Sequence, residues 1–350
     1  MRRSVAFATI LLGGGVLAAE PQQETASAQF KTTADLVSVY VTVRDEAGRL
    51  VPDLTKDDFV VTDNGKAQKL AFFTNDVHPF SVVMMLDRSG SMVEHHEMVR
   101  EAGKAFVDAM LPADTGRIGS FGDEVKVEPP EFTADHEALV AVLGTGLQSA
   151  GGASPVWTAF DTAISTLAQR SGRRVLLALT DGYNDPKPGT PITELEDVVR
   201  RSRYNDILVY IVGFSAAEPA IGRPTFPRPS GGPSRPPVGP PGVPLPPTIP
   251  VPLPGGRAAS PLSTKLRPPY RGLRLIADES GGGYYEMDAS EDLSGTFARI
   301  AEELHRQYWM AFTPTKLDGK VHEIEVKVKR RGMDVRARKS YFADPKRGMR

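Results

Sequence analysis

Three long apolar runs constrain this chain more than any other feature: Phe80 to Leu86, Val175 to Leu179 and Ile207 to Phe214. A strand apolar at nearly every position must be covered on both faces, as parallel strands are when helices lie above and below them. Helical spacing fills the intervals. Val93 to Leu111 sets Val99, Ala102, Phe106, Val107 and Met110 on one stripe, and Asp135 to Leu147 does the same with Leu139, Val142 and Leu143. Pro155 to Gln169 opens with proline in its first turn. Thr193 to Arg203, Leu273 to Asp278 and Asp292 to Arg306 complete the helical set, with short strands at Arg117 to Phe121, Val125 to Val127 and Tyr284-Tyr285. The expected fold is α/β, a doubly wound and mostly parallel sheet.

Both flanks are β-patterned. Val37, Val39, Val41 and Val43 alternate with Ser38, Tyr40 and Thr42, which predicts a strand with one apolar face. Phe59-Val60-Val61 leads to Asn64-Gly65, a tight-hairpin signal, with Leu70 to Phe73 as the returning strand. Tyr308 to Phe312, the alternating Ile324, Val326 and Val328, and Val335 to Arg338 supply strands at the other end. Either segment alone is small for a core, so the two are expected to close one β-sandwich into which the α/β part is inserted. Two separate β appendages are the alternative.

Ahead of the first strand, Arg2 and Arg3 precede an apolar run from Val5 to Leu17 and then small residues, with cleavage expected after Ala18 or Ala28. This is the order of an export signal, the other reading being an uncleaved anchor. The expected division is therefore 1–28 signal peptide, 29–76 N-terminal β segment, 77–307 α/β domain and 308–343 C-terminal β segment. Within the α/β part, 18 of the 30 prolines fall between Pro219 and Pro269, predicting a disordered or polyproline insertion over 218–270. The 350 residues contain no cysteine, which excludes disulfides and thiolate chemistry, and a net charge of −1 gives no general pull toward nucleic acid. No later apolar stretch is long enough to span a bilayer.

Ligands of open α/β sheets bind beyond the carboxyl ends of the strands. There the sequence places Asp87-Arg88-Ser89-Gly90-Ser91, then Gly151-Gly152-Ala153-Ser154 ahead of the Pro155 helix, then Thr180-Asp181-Gly182. Two carboxylates and three hydroxyls form a hard-oxygen donor set suited to Mg²⁺ or Mn²⁺. Ser89, Ser91 and Ser154 are candidate direct ligands. Asp87 and Asp181 can act through water while accepting hydrogen bonds from the serines.

The Asp-x-Ser-x-Ser motif, the small-residue loop ending in a hydroxyl and the Thr-Asp-Gly turn resemble the metal-ion-dependent adhesion site of von Willebrand factor A domains. The resemblance runs from about Pro79 to Gln307. It implies that Asp87, Ser89 and Ser91 are metal ligands, that Ser154 stands where the family usually has Thr, and that Asp181 follows the fourth strand. With Asp57-Asp58-Phe59 and Gln307-Tyr308, the flanks further resemble exported bacterial proteins described only as related to that family. The implied function is that of an exported adhesion or assembly module, periplasmic or extracellular. Its metal would capture an Asp or Glu carboxylate of a protein partner, without enzymatic activity or nucleic acid.

Two alternatives accompany this reading: a passive scaffold with a non-functional metal site, and a serine hydrolase using Ser89 or Ser91 with His95 or His96. His95-His96-Glu97-Met98-Val99-Arg100 breaks the His-Glu-x-x-His zinc pattern at Arg100. The chain also lacks a Gly-Lys-Ser/Thr phosphate loop, and Ser89 occupies the place of the second carboxylate expected for aspartyl phosphoryl transfer. The basic residues of the C-terminal strands, Arg336, Arg338 and Lys339 among them, are expected on a solvated face.

Overall fold

A computed structural model describes residues 36–146, 152–214, 268–287 and 291–345. The export-signal segment and most of the proline-rich insertion lie outside these residues, as does Gly151 of the small-residue loop.

The central sheet has the strand order β10-β9-β8-β5-β6-β7, with β5 (Phe80–Asp87), β6 (Thr115–Phe121), β7 (Val125–Thr133), β8 (Arg173–Thr180), β9 (Ile207–Phe214) and β10 (Tyr284–Met287). All neighbours run parallel except β7, an antiparallel edge strand. Every residue of β5 is buried because the strand feeds two cores. Phe80, Val82, Met84 and Leu86 meet α1 (His96–Asp108), α2 (His136–Gly146) and α6 (Leu293–His305). Val83 and Met85 meet α3 (Val156–Leu167), α4 (Leu195–Tyr204) and α5 (Pro268–Ser280) on the other face. Helix α3 shows why it docks: Val156, Ala159, Phe160, Ala163, Ile164 and Leu167, spaced by three and four, are all buried. Asp292 caps α6 by accepting from the Gly295 N–H at 2.8 Å.

Two antiparallel sheets form the β-sandwich. One has the order β13-β1-β11-β4, from β1 (Val37–Arg44), β4 (Leu70–Thr74), β11 (Tyr308–Phe312) and β13 (Asp334–Ala337). The other is β14-β12-β2-β3, from β2 (Phe59–Asp63), β3 (Lys66–Gln68), β12 (Val321–Val328) and β14 (Ser340–Phe342). Strands from the two flanks interleave: Val39 faces Met310, and Val61 faces Val326. Their inward side chains, including Val37, Val39, Val41, Phe59, Tyr308, Phe312 and Tyr341, share one core.

Two sequence expectations need correction here. The Asn64-Gly65 turn, both residues at positive φ, returns through β3 and not through Leu70 to Phe73. Those later residues form β4, which crosses to the other sheet and pairs with β11. The second face of β1 is covered too, since Tyr40 and Thr42 are buried against the α/β layers. Arg336 and Arg338, expected on a solvated face, are largely buried. Arg336 pairs with Glu303 of α6, and Arg338 with Asp206.

Glu303 is the polar centre of the junction. Fully buried, it accepts from Thr42 and Tyr285 at 3.0 Å, from Tyr210, and from the guanidinium groups of Arg44 and Arg336. Both arginines belong to the sandwich, so a buried charge on the last helix is neutralised only when the two parts are packed together.

Candidate metal centre

Strand β5 is flanked by β8 on one side and by β6 on the other, so the chain changes direction across the sheet beside β5. Asp87 is the last residue of β5, and Asp181 follows the last residue of β8. Ser89 precedes a 3₁₀ turn, Gly90–His95, which carries Ser91 and replaces the first part of the helix expected from Val93. Ser154 is held opposite Asp185 by a pair of backbone hydrogen bonds, each 2.8 Å. The loop before it is fixed by Asp123, whose carboxylate accepts from the Ala153 N–H at 3.1 Å.

All five candidate residues meet in one connected cluster. Asp87 accepts from the Ser89 backbone N–H at 2.9 Å through Oδ1, and from the Ser154 hydroxyl at 3.3 Å through Oδ2. The Ser89 and Ser91 hydroxyls lie 3.2 Å apart, and Ser91 donates to Asp181. Asp181 also accepts from the Tyr183 N–H at 3.1 Å. The carboxylates therefore do accept from serine hydroxyls, as the donor chemistry anticipated.

The sequence reading missed one residue of the cluster as a participant. The Thr180 hydroxyl donates to Asp87 Oδ2 at 2.6 Å and accepts from the Gly182 N–H at 3.0 Å. A hydroxyl residue ending an all-apolar strand beside Asp181 was the available signal.

Charge is the unusual property here. Asp87 and Asp181 are both fully buried, and among the described residues no Lys, Arg or His stands within ion-pair distance of either. Burial pushes the Asp87 carboxyl up to about 6, against the Thr180 and Ser89 hydrogen bonds that lower it. Nearby Asp181 adds to the rise. The cluster thus lacks positive charge and is rich in oxygen donors, a setting that fits a hard divalent cation. Among the described residues no three His, Cys, Asp or Glu side chains gather into a metal cage, so a cation here would rely on hydroxyls and water to complete its shell.

His95 and His96 are half-buried, with the His95 ring against Phe214 at 4.4 Å between centroids. Among the described residues no histidine hydrogen-bonds Ser89 or Ser91.

A family model described as the von Willebrand factor type A domain matches residues 82–184, the segment that supplies every residue of the cluster. The chain carries a von Willebrand factor type A domain. Domains of this family commonly bind a divalent metal and mediate protein–protein interaction. A search of curated proteins finds no match. Among solved structures, the conserved hypothetical protein BatB from Bacteroides thetaiotaomicron is similar at 16% identity and a TM-score of 0.41, over 64% of this chain and 98% of that one. The von Willebrand factor type A protein from Catenulispora acidiphila is similar at 13% identity and a TM-score of 0.45, over 89% and 75%. Proximal thread matrix protein 1 from mussel byssus, with zinc in its adhesion motif, is similar at 14% identity and a TM-score of 0.35, over 42% and 38%.

Proposed function

We propose that this von Willebrand factor A domain is a metal-dependent protein-binding module of an exported protein. Asp87, Ser89, Ser91, Ser154 and Asp181 are its metal-holding residues, and an Asp or Glu side chain of a protein partner is its ligand. The observation that carries the reading is the pair of buried carboxylates with no basic partner. Mg²⁺ and Mn²⁺ are the favoured ions because every donor is oxygen. When bound, such a cation supplies the missing positive charge and a coordination position for a partner's oxygen.

This chain's residues do the remaining work. The Ser91 hydroxyl, donating its hydrogen bond to Asp181, keeps its lone pairs available. Asp87, tied to Thr180 and Ser154, holds the β8 end and the Ser154 loop in register with the Ser89 turn. No bond is broken in this scheme, and the domain is not an enzyme. Arg2, Arg3 and the apolar run after them support export to the periplasm or beyond. Among the described residues no helix is long and apolar enough to cross a membrane.

A second reading, a passive scaffold whose site is closed by its own hydrogen bonds, is favoured by the direct Ser91–Asp181 contact. Calorimetric titration of EDTA-stripped protein with Mg²⁺ and Mn²⁺ separates the two. Saturable binding, lost in folded Ser89→Ala and Asp181→Ala variants, is the expected result. No heat from folded wild type leaves the scaffold.

A further inference from the structure

A second cluster of unmet polar groups lies at the opposite end of the sheet. Arg173 opens β8, about 23 Å from Thr180 along seven strand steps. It is 2% exposed, donates through Nη1 to the Leu304 carbonyl, and holds its guanidinium 4.8 Å from the centroid of the Tyr40 ring. Its Nε and Nη2 are buried without a hydrogen-bond partner, and among the described residues no carboxylate stands within ion-pair distance. Asp114, the carboxylate that acts on it from farther away, is already bonded to His305 and to the Phe80 and Leu111 N–H groups.

The surroundings repeat the pattern. Tyr40 stacks on Trp309 at 5.9 Å, and the Trp309 Nε1 is also buried and unpartnered. His78 meets Trp309 edge-on at 5.0 Å, and its Nε2 has no partner either. Burial, with the Arg173 charge, keeps His78 below its ordinary value, so its ring is neutral at pH 7. His78 is half-buried, and Val77 before it is exposed. Water can satisfy a lone donor, but it does not balance a buried cation. Unmet donors and a buried positive charge that only Tyr40, Tyr210 and the more distant Asp114 offset favour an anionic occupant.

We propose that Arg173 Nε and Nη2 form a binding site for a small monovalent anion, either chloride or the carboxylate of a short organic acid. The Nε–Nη2 side of a guanidinium matches a carboxylate's two oxygens, and Lys lacks that fork. The site is independent of the metal reading, drawing on none of the same side chains.

The test uses the full chain carrying Trp157→Phe, which leaves Trp309 as the sole tryptophan. Sodium chloride, formate and acetate are titrated at constant ionic strength against sodium fluoride, with Trp309 emission and Tm as readouts. The expected result is a saturable emission change and a raised Tm with chloride or with the carboxylates, the active salt distinguishing halide from organic acid. Arg173→Lys weakens it by about tenfold or more, and Arg173→Met abolishes it. An identical response to every salt, fluoride included, overturns the proposal and leaves water as the partner of these donors. So does an undiminished response in Arg173→Met. The parent protein alone gives the first readout, so a variant that fails to fold does not shield the proposal.

Discussion

Thr180 and Asp87 join the carboxyl ends of two adjacent parallel strands, the threonine hydroxyl donating to Oδ2 across 2.6 Å. Thr180→Val keeps the side-chain shape and removes the donor. Asp87 then retains the contacts from Ser89 and the longer one from Ser154. Urea denaturation in EDTA at pH 7 should show a loss of about 1–3 kcal/mol, the cost of leaving a buried acceptor short of a partner. An unchanged midpoint would mean that this bond contributes nothing.

The Asp87 carboxyl, raised by burial to about 6, lies above its ordinary 3.8 in the folded protein. Its contribution to stability is therefore full below pH 3.8 and is lost as pH rises through 6. Metal-free protein should lose on the order of 2–3 kcal/mol across that window, and Asp87→Asn should not. A bound cation needs the ionised form, so Mn²⁺ affinity should be level above pH 6 and fall about tenfold per unit below it. Calorimetry at pH 5.0, 6.0 and 7.5 checks the slope.

Ser154 has a hydroxyl but a looser χ1 than the threonine usual in its family. Ser154→Thr should hold Mn²⁺ as tightly as wild type or several-fold more tightly, because a β-branched side chain loses less freedom on binding. Ser154→Ala should weaken binding by about tenfold or more, the scale of one lost ligand or supporting contact. Equal affinities in all three proteins would remove Ser154 from the site.

Burial alone would raise the Glu303 carboxyl. Arg336, the Tyr210 hydroxyl and Arg44 outweigh it and hold the group below its ordinary 4.5. Its stabilising contribution is thus full above pH 4.5 and lost as pH falls through the lowered value. Glu303→Ala should cost about 3–5 kcal/mol at neutral pH by stranding two arginines. Glu303→Gln should cost less and should flatten the acid limb of a stability–pH curve. Both are read from denaturant melts between pH 3 and 7.

Much of this architecture was legible because its signals are local. Fully apolar runs announced strands covered on both faces, and the order of the three hydroxyl- and carboxylate-bearing loops brought the five residues together at one sheet edge. What escaped was decided by distant partners. Arg336 and Arg338 alternate with apolar residues as a solvated strand face would, yet Glu303 and Asp206 wait opposite them. Tyr40 and Thr42 look like an outward face until helix α6 packs on it. Lys69 marks no visible break, but the chain changes sheets there because β11 offers Leu70 to Thr74 an open edge. Thr180 was overlooked for a different reason: its neighbour Asp181 carried the recognisable chemistry.

The sandwich also sets a timetable for synthesis. Val37 pairs with Phe312, and Phe59 with Val328, so the first strands made must wait for the last. The α/β domain can collapse on its own strands in the interval, while β1 to β4 stay open-edged and apolar. Closing a loop of this length adds only a slowly growing entropic cost, so the penalty falls on the nascent chain and not on the finished protein. That chain must be kept from pairing with a neighbour's strands until its own arrive.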